Sequence, residues 1–395
     1  MTTNVLIVGA GPAALEAALA LRHHAADRVE LTLVAPEEQF VYRPVSVVDP
    51  FALGPARRYP LRSIAEDLGA SLVASTVAAV DPAAHRVRLT AGSDLDYDVL
   101  LIAVGARPRP ALAHATTFTG PDDVEALHGL VQDVELGYIK RLAFVVPPGT
   151  TWPLPLYELA LMTANRAASM FASPDVHLVT PEAAPLDTFG PRASSAVREL
   201  VAQAGITLHT GAAATVEHGA VLLQPSGERI AVDRVVALPA LTGPAIAGVP
   251  GDADGFIPVD ELGAVRGLRD VYAAGDATDF PIKQGGIATQ QADAVAGVIA
   301  ARAGAPVTPQ PFEPVLRGML LTESRAVWLR DEAAAAGEDA VSARGLWWPP
   351  TKIAGRWLGR YLLGRDEEAA AGSTRTGLPI EVRLDQRARR IGSQT

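Results

Sequence analysis

The chain has 395 residues, of which 49% are hydrophobic and 20% charged, and this composition is typical of a folded globular protein with two or three domains. Its formal net charge of -10, with no basic stripe before the last fifty residues, excludes a nucleic-acid partner. It contains no cysteine, which excludes disulfide bonds, thiolate metal sites and cysteine nucleophiles, and no other metal site is predicted.

The first predicted element is an apolar strand over residues 4–8, which runs into Gly9-Ala10-Gly11-Pro12-Ala13-Ala14 and an alanine-rich helix. This G-x-G-x-x-A pattern between a strand and a helix marks a dinucleotide pyrophosphate site, which we favour over a simple tight turn. Gly9 permits the sharp turn, Gly11 permits backbone to approach the pyrophosphate, and Ala14 permits close packing of helix and strand. Pro12 lies in the same turn, at a helix N-terminus that attracts anions.

The first nucleotide-binding half continues to about residue 110. Residues 71–89 predict a hairpin whose turn contains Asp81-Pro82. Residues 97–106 predict a buried parallel strand, because their apolar run is unbroken until Gly105.

A second α/β unit is expected over residues 111–245. It has predicted strands at 142–146, 176–179 and 206–209, and predicted helices at 156–168 and 192–204. Its first strand-to-helix turn contains four prolines and one glycine between residues 147 and 155. Since proline donates no N–H, this turn is poorly suited to hold a pyrophosphate in the usual way.

From about residue 269 the chain is expected to return to the first lobe, through a strand that ends in Ala274-Gly275-Asp276 and an apolar helix over 287–303. Residues 312–330 predict a hairpin around Glu323-Ser324, and residues 353–363 predict a short amphipathic helix after a linker over 333–345. The last thirty residues are polar and are expected to be loosely held.

The predicted fold class is α/β, with two Rossmann-like three-layer dinucleotide-binding lobes, the second inserted in the first. The expected divisions are 1–110 with 246–310 for the first lobe, 111–245 for the second, 311–364 for a C-terminal cap and 365–395 for a polar tail.

The N-terminal motif, the strand ending in Ile102-Ala103-Val104-Gly105 and the strand ending in Ala274-Gly275-Asp276 together resemble the two-dinucleotide-binding-domain flavoproteins over about residues 2–303. Residues 33–44 and 147–158 resemble the branch of sulfide:quinone oxidoreductases, flavocytochrome c sulfide dehydrogenases and type II NADH:quinone dehydrogenases. The resemblance implies FAD, with Asp276 bonded to its ribityl chain; alone, Gly275-Asp276 is more simply a helix N-cap. The residues expected to hold FAD are Gly9, Gly11, Pro12, Ala14, Glu37, Arg43, Ala103, Gly105, Gly275, Asp276 and Gly285.

The chain departs from that family at several positions. Ala35 stands where the family has an acidic residue for the adenosine ribose, and we expect Glu37 to substitute for it, with backbone and water as the alternative. Trp152 stands where the sulfide-oxidising members have a cysteine, so persulfide chemistry is excluded; an indole packed in the core is favoured over one stacked near the flavin. Gly286 stands where the branch has a glutamine at its quinone site, with Gln290 and Gln291 further on.

Two residues are candidates for catalysis. Lys283 precedes the helix whose N-terminus faces the flavin pyrimidine in the family, where it would stabilise the reduced ring; a solvated loop lysine is equally compatible. Glu158 resembles an acid of the type II dehydrogenases and would deliver a proton to the acceptor, whereas the simpler interpretation is a glutamate favoured by the helix dipole.

Lys352, Arg356 and Arg360 fall on one stripe of the predicted helix 353–363 beside aromatic residues, which indicates an interfacial helix for anionic lipid, a flap over the flavin or a homodimer contact. The cofactor strand begins at Asn4 with no signal sequence before it, so we expect a cytoplasmic protein.

The function predicted from the sequence is that of an FAD-dependent oxidoreductase that passes electrons from a small-molecule donor to a small-molecule acceptor. NAD(P)H is a candidate donor, with Glu182 as a ribose partner in the second lobe. A membrane-associated quinone reductase and a flavin-binding sensor without turnover are the alternatives.

Overall fold

The computed structural model describes residues 2–322, 328–330, 341–342, 347, 349–366 and 377–383. The elements up to residue 102 are β1 (Thr3–Val8), α1 (Pro12–Ala25), β2 (Val29–Val34), β3 (Gln39–Val41), β4 (Arg58–Pro60), α2 (Leu61–Asp67), β5 (Ser71–Val73), β6 (Val77–Asp81), β7 (Arg86–Leu89), β8 (Asp94–Asp96) and β9 (Val99–Ile102). A 3₁₀ helix spans Arg43–Phe51.

The elements that follow, to residue 242, are β10 (Arg107–Arg109), β11 (Thr116–Thr117), α3 (Val124–Glu135), β12 (Arg141–Val145), α4 (Leu154–Ser169), β13 (Asp175–Val179), α5 (Pro191–Gln203), β14 (Thr207–His209), β15 (Ala213–Glu217), β16 (Ala220–Gln224), β17 (Arg229–Ala231), β18 (Arg234–Ala237) and β19 (Ala240–Thr242). The last elements are β20 (Val271–Ala273), α6 (Gly285–Arg302), β21 (Val315–Leu321), β22 (Trp328–Arg330), β23 (Val341–Ser342), α7 (Leu358–Arg365) and β24 (Gly377–Arg383).

The first lobe is built on a parallel sheet in the order β20-β9-β1-β2-β5. Val5 of β1 pairs with Leu31 of β2 and with Val99 of β9. The late strand β20 joins the same sheet, with Val271 opposite Leu100. The carboxyl ends of all five strands therefore lie at one edge, which is where open α/β sheets bind ligands.

The second lobe has its own parallel sheet, in the order β11-β18-β12-β13-β14. The chain passes from the first lobe to the second through β10 and leaves through β19, and these two strands pair antiparallel. The predicted α/β class with two Rossmann-like lobes is confirmed. The limits assigned to the four divisions stay predictions.

Helices α1 and α6 pack against each other on one face of the first sheet. Both are rich in alanine, and their buried faces include Ala14 and Ala18 of α1 and Ala292 and Ala296 of α6. Because these side chains are small, the helix backbones approach closely and hold the turns at their N-termini side by side.

The hairpin expected over 71–89 is wrong at its first strand. Ser71–Val73 is β5, the edge strand of the parallel sheet beside β2. The hairpin itself is β6 with β7, and β8 extends it. A stretch as short as Ser71–Val73 can be predicted as a strand, but its sequence does not say which strand it pairs with. That partner, β2, lies about forty residues earlier and is set by tertiary packing.

The hairpin expected over 312–330 is also wrong. β21 pairs antiparallel with β24, and β22 pairs with the same strand, so β24 separates them. The predicted turn at residues 323–324 lies outside the described residues, as does most of the predicted linker over 333–345. Residues 377–383 were expected to belong to a loosely held tail and instead form an inner strand of this sheet.

The helix expected over 353–363 begins later, at Leu358. Lys352 and Arg356 precede it, so they do not form one helical stripe with Arg360. The backbone N–H of Ile353 donates to the hydroxyl of Tyr42 at 2.8 Å, which replaces a hydrogen bond within a helix.

The buried carboxylate of Glu16, in α1, caps the N-terminus of α7. One oxygen accepts the backbone N–H of Trp357 at 2.9 Å and the other accepts that of Leu358 at 2.7 Å. Gly355 lies so close that a Cβ there would be 2.5 Å from the carboxylate. The segment 349–366 is thus held on the first lobe by tertiary hydrogen bonds.

We predict that Glu16→Ala loosens this segment, since two backbone donors lose their acceptors at a cost of about 1–2 kcal/mol. Amide hydrogen exchange should accelerate at residues 353–362 and remain unchanged in β1. Glu16→Gln keeps one acceptor oxygen and should give an intermediate rate. Equal protection in Glu16→Ala and the parent protein would show that the cap does not hold the segment.

Candidate functional site

A cavity of about 560 Å³ opens between the two lobes. The first lobe lines it with the start of the 3₁₀ helix and with the loop from Asp276 to Gly285. The second lobe lines it with the proline-rich turn 148–155. Met319 of β21 and Lys352 of the C-terminal segment complete the wall, so every part of the fold contributes to one cavity.

The glycine turn after β1 leads into the start of α1. Gly9 has φ +114°, and a Cβ on it would lie 2.3 Å from the carbonyl oxygen of Ala103, so only glycine fits. Gly11 is the N-cap of α1, and a Cβ on it would meet no atom within 4 Å. No side chain caps α1. Its first N–H groups therefore have no side-chain acceptor, which suits a pyrophosphate.

Gly275 and Asp276 connect this turn to the cavity. Gly275 has φ +79°, and a Cβ on it would lie 3.0 Å from the Cβ of Ala13, so β20 ends against the first turn of α1. Asp276 follows and lines the cavity. Burial raises the pKa of Asp276 to about 6, and the nearby Lys283 ammonium opposes the rise. Asp276 is thus an acceptor for hydroxyl groups inside the cavity.

Lys283 also lines the cavity. Its ammonium donates to the carbonyl of Thr278 and lies 3.7 Å from the centre of the Phe256 ring. Burial lowers the pKa of Lys283 to about 8, although Asp276 and Asp279 favour the charged form. The group therefore carries most of its positive charge at neutral pH.

Gln284 is a cavity residue that sequence reasoning missed. It is buried, and its side-chain oxygen accepts the N–H of Ile287 at 2.8 Å and so caps α6, while its amide donates to the carbonyl of Arg317. The helix begins at Gly285, two residues before the predicted start. No sequence signal pointed to this cap, since the preferred N-cap residues are Ser, Thr, Asp and Asn.

The proline-rich turn presents Gly149, Thr150 and Thr151 to the cavity. Trp152 packs edge-to-face on Phe189, with the ring centroids 5.8 Å apart, and also lines the cavity. Its stacking near a flavin stays a prediction.

Glu158 does not line the cavity, but Lys352, to which it is hydrogen-bonded, does. Its side chain is fully buried and accepts a hydrogen bond from Lys352 at 2.6 Å and from the backbone N–H of Leu321 at 2.6 Å. Lys352 also donates to the carbonyl of Pro44 at 3.0 Å. Burial raises the pKa of Glu158 and lowers that of Lys352, and the ion pair opposes both shifts.

Glu182 lies just beyond the carboxyl end of β13 in the second lobe. Its carboxylate accepts hydrogen bonds from Tyr157 at 2.7 Å and Thr180 at 2.8 Å. Burial raises the pKa of Glu182 to about 7. An acidic side chain at this place in a Rossmann-like lobe is suited to bind ribose hydroxyls.

The remaining predicted cofactor residues differ in their burial and in whether they line the cavity. Arg43 is exposed and lines the cavity. Ala103 is buried against Gly9, and Gly105, with φ +74°, follows β9. Glu37 is exposed beyond the end of β2, and its role stays a prediction. Pro12 and Ala14 lie in the first turn of α1, and Ala14 is fully buried.

These residues fit an extended dinucleotide of the FAD type. A Cβ on Gly11 would meet no atom, so this space would take a diphosphate, and the cavity beyond Asp276 is large and lined by both lobes. The fold and site thus define a two-lobed dinucleotide-binding oxidoreductase. Residues 3–293 match the pyridine nucleotide-disulphide oxidoreductase family, and the chain belongs to that family. It is accordingly an FAD-dependent oxidoreductase that works with NAD(P)H.

The individual proteins that this chain is similar to share less than 30% sequence identity with it. An NADH dehydrogenase-like protein of Mycobacterium tuberculosis is 28% identical over 301 residues, covering 69% of this chain and 72% of that protein. The sulfide:quinone oxidoreductase of Aquifex aeolicus has a similar fold, with a TM-score of 0.71, 19% identity and 81% of each chain covered. A ferredoxin reductase of Rhodopseudomonas palustris gives a TM-score of 0.62 at 22% identity, with 83% of this chain and 85% of that chain covered.

Two observations hold for the described residues alone. None of their helices combines the length and hydropathy that crossing a bilayer requires. Their acidic and histidine side chains do not gather in any group of three or more that could hold a metal ion.

We predict that adding one methyl group has different effects at two glycines of the turn, on stability at Gly9 and on FAD binding at Gly11. Gly9→Ala should destabilise the flavin-free protein by about 2 kcal/mol or more, because its Cβ meets Ala103. Gly11→Ala should leave that stability unchanged and weaken FAD binding by about tenfold or more, because its Cβ enters the open space. Thermal melts and FAD titrations measure the two effects. If Gly11→Ala bound FAD as tightly as the parent protein, the space above Gly11 would not be the pyrophosphate site.

Proposed function

We propose that this protein passes electrons from NADH through FAD to a second acceptor without any cysteine chemistry. The observation that carries the proposal is that one cavity is lined by both lobes, with Asp276 and Lys283 from the first and the turn 148–155 from the second. A nicotinamide held by one lobe and an FAD held by the other would meet there. When bound, FAD supplies hydride acceptance and electron transfer, and the protein supplies binding, charge and protons.

The choice of NADH over NADPH rests on Glu182. Its carboxylate lies after the second strand of the inserted lobe, where it would accept hydrogen bonds from ribose hydroxyls and repel a 2′-phosphate. The prolines of the neighbouring turn donate no N–H, and the N–H of Thr150 already donates to the carbonyl of Pro147 at 3.2 Å, so the pyrophosphate would depend on the N–H groups of Gly149 and Thr151 and on the two threonine hydroxyls.

Lys283 supplies fixed positive charge in the cavity. With a pKa of about 8 and a hydrogen bond to the backbone, its ammonium is both charged and positioned before a substrate arrives. A preorganised cation of this kind stabilises negative charge that develops nearby during reduction.

Lys352 holds a proton at Nζ at the wall of the cavity, and Glu158 is its positioning residue. The buried carboxylate keeps the ammonium charged in spite of burial and aims it through a 2.6 Å hydrogen bond. This pair is suited to deliver a proton to a reduced acceptor.

Anaerobic mixing of the purified holoprotein with NADH or NADPH tests the proposal by loss of the absorbance of oxidised flavin. We expect NADH to reduce the flavin about tenfold faster or more, and Glu182→Gln to narrow that preference. Glu199→Gln, an exposed glutamate of α5, is the matched control. Reduction by neither nucleotide would contradict the proposal and favour a sensor without turnover, and faster reduction by NADPH would contradict the role of Glu182.

We predict that Glu158→Gln changes the pH dependence of acceptor reduction. Without the carboxylate, the ammonium of Lys352 loses its stabilising anion, so its pKa falls and its proton is lost at lower pH. The alkaline limb of kcat/KM for a soluble quinone should move down by about one pH unit or more, while flavin reduction by NADH keeps its profile. An unchanged alkaline limb in Glu158→Gln would show that Lys352 does not deliver the proton.

A further inference from the structure

Tyr157 of α4 is a buried residue whose hydroxyl contacts the carboxylate that we propose to distinguish NADH from NADPH. Its side chain is fully buried, and its hydroxyl donates to Oε2 of Glu182 at 2.7 Å. Burial raises the pKa of Tyr157, and the carboxylate of Glu182 raises it further. The hydroxyl therefore stays protonated and donates this hydrogen bond at every pH at which the protein would work.

Thr180, just after β13, holds the same carboxylate oxygen. Its hydroxyl donates to Oε2 of Glu182 at 2.8 Å and accepts the backbone N–H of Glu182 at 3.3 Å. Thr180 is fully buried as well. Because two buried side chains reach one oxygen, they hold the carboxylate in one orientation before any ligand binds.

Glu182 keeps capacity for a ligand. A carboxylate has about four acceptor positions. The donors that favour its charged form are the hydroxyls of Tyr157 and Thr180 and the backbone N–H of Leu186. Since Glu182 is only partly buried, an acceptor position remains for a ribose hydroxyl.

The charge of Glu182 depends on the balance between burial and these donors. Burial raises the pKa of Glu182 to about 7, and the nearby charge of Asp187 also raises it. The hydrogen bonds from Tyr157, Thr180 and the N–H of Leu186 lower it. Loss of one donor would raise the pKa further, because the charged form needs that hydrogen bond more than the neutral form does.

We propose that Tyr157 is a positioning residue for the choice of nucleotide, since it holds the carboxylate of Glu182 charged and oriented for a ribose. This inference rests on the proposed function. The ionised carboxylate would accept hydrogen bonds from the ribose hydroxyls of NADH and repel the 2′-phosphate of NADPH, whereas the neutral acid would not repel it. The preference for NADH should therefore grow as the pH rises through about 7 and fade below that pH.

The test measures binding of NAD⁺ and NADP⁺ to the FAD-loaded protein by calorimetry over a pH range that brackets neutrality. The oxidised nucleotides do not reduce the flavin, so the readout is affinity alone. The 2′-phosphate of NADP⁺ itself changes charge near pH ~6. Each profile is therefore compared with that of Glu182→Gln, in which position 182 no longer titrates.

We expect Tyr157→Phe to move the midpoint of the NAD⁺ preference up by about one pH unit. Tyr138→Phe is the matched control, since Tyr138 is an exposed tyrosine of the same lobe, and it should keep the midpoint of the parent protein. Thr180→Val should move the midpoint in the same direction, whereas Thr180→Ser keeps the hydroxyl and should not. Melting temperatures confirm that each variant folds.

Glu158, the next residue of α4, separates a local role of Tyr157 from general support of the helix. Glu158 bonds to Lys352 rather than to Glu182. If Tyr157→Phe merely loosened α4, the alkaline limb of acceptor reduction, which depends on Lys352, would move as well. We expect that limb to stay unchanged in Tyr157→Phe, and its displacement would overturn the proposal.

The proposal is also overturned if Tyr157→Phe and Tyr138→Phe both keep the midpoint of a parent protein that prefers NAD⁺. The proposed function would stand in that case. Absence of binding of both nucleotides to the parent protein would instead contradict the proposed function, and this inference with it.

Discussion

One buried ion pair joins the three parts of this protein. Lys352 of the C-terminal segment donates to Glu158 of the second lobe and to the carbonyl of Pro44 in the first. Burying either charge without its partner costs several kcal/mol, so the pair forms only when all three parts are in place. Because Lys352 lines the cavity, the contact that closes the fold also places at the cavity wall the ammonium that we propose as the proton donor.

The two lobes share a parallel sheet with helices, but the turns after their first strands differ in composition. In the first lobe Gly9 packs on Ala103 and Gly11 leaves space, so helix N–H groups are open to a diphosphate. In the second lobe the parallel sheet and the helix α4 are kept, but prolines remove N–H donors from the turn. We propose that the first turn binds its dinucleotide firmly and that the second turn binds the electron donor through fewer N–H groups. Weaker binding of this kind suits a donor that must exchange after each turnover.

Sequence patterns were most informative where one local rule governs both structure and chemistry. The strand, Gly9, Gly11 and the alanine-rich helix are such a case, and so is the strand ending in Asp276, because each pattern is complete within about ten residues. The errors fell on strands whose partners are distant. Ser71–Val73 joined β2 and Gly377–Arg383 entered between β21 and β22, and nothing local in those segments specifies such pairing.

By itself, then, the sequence determined the α/β class, the order of the two lobes and the position of the cofactor turn, since hydrophobic periodicity and glycine spacing act over short distances. Only the tertiary structure decided what Glu158 and the basic C-terminal stripe do. Lys352 turned inward to Glu158, whereas Arg356 and Arg360 gathered at a second cavity. The physical reason is that a buried charge takes the partner that the folded chain brings within hydrogen-bond distance, and that partner lay 194 residues away.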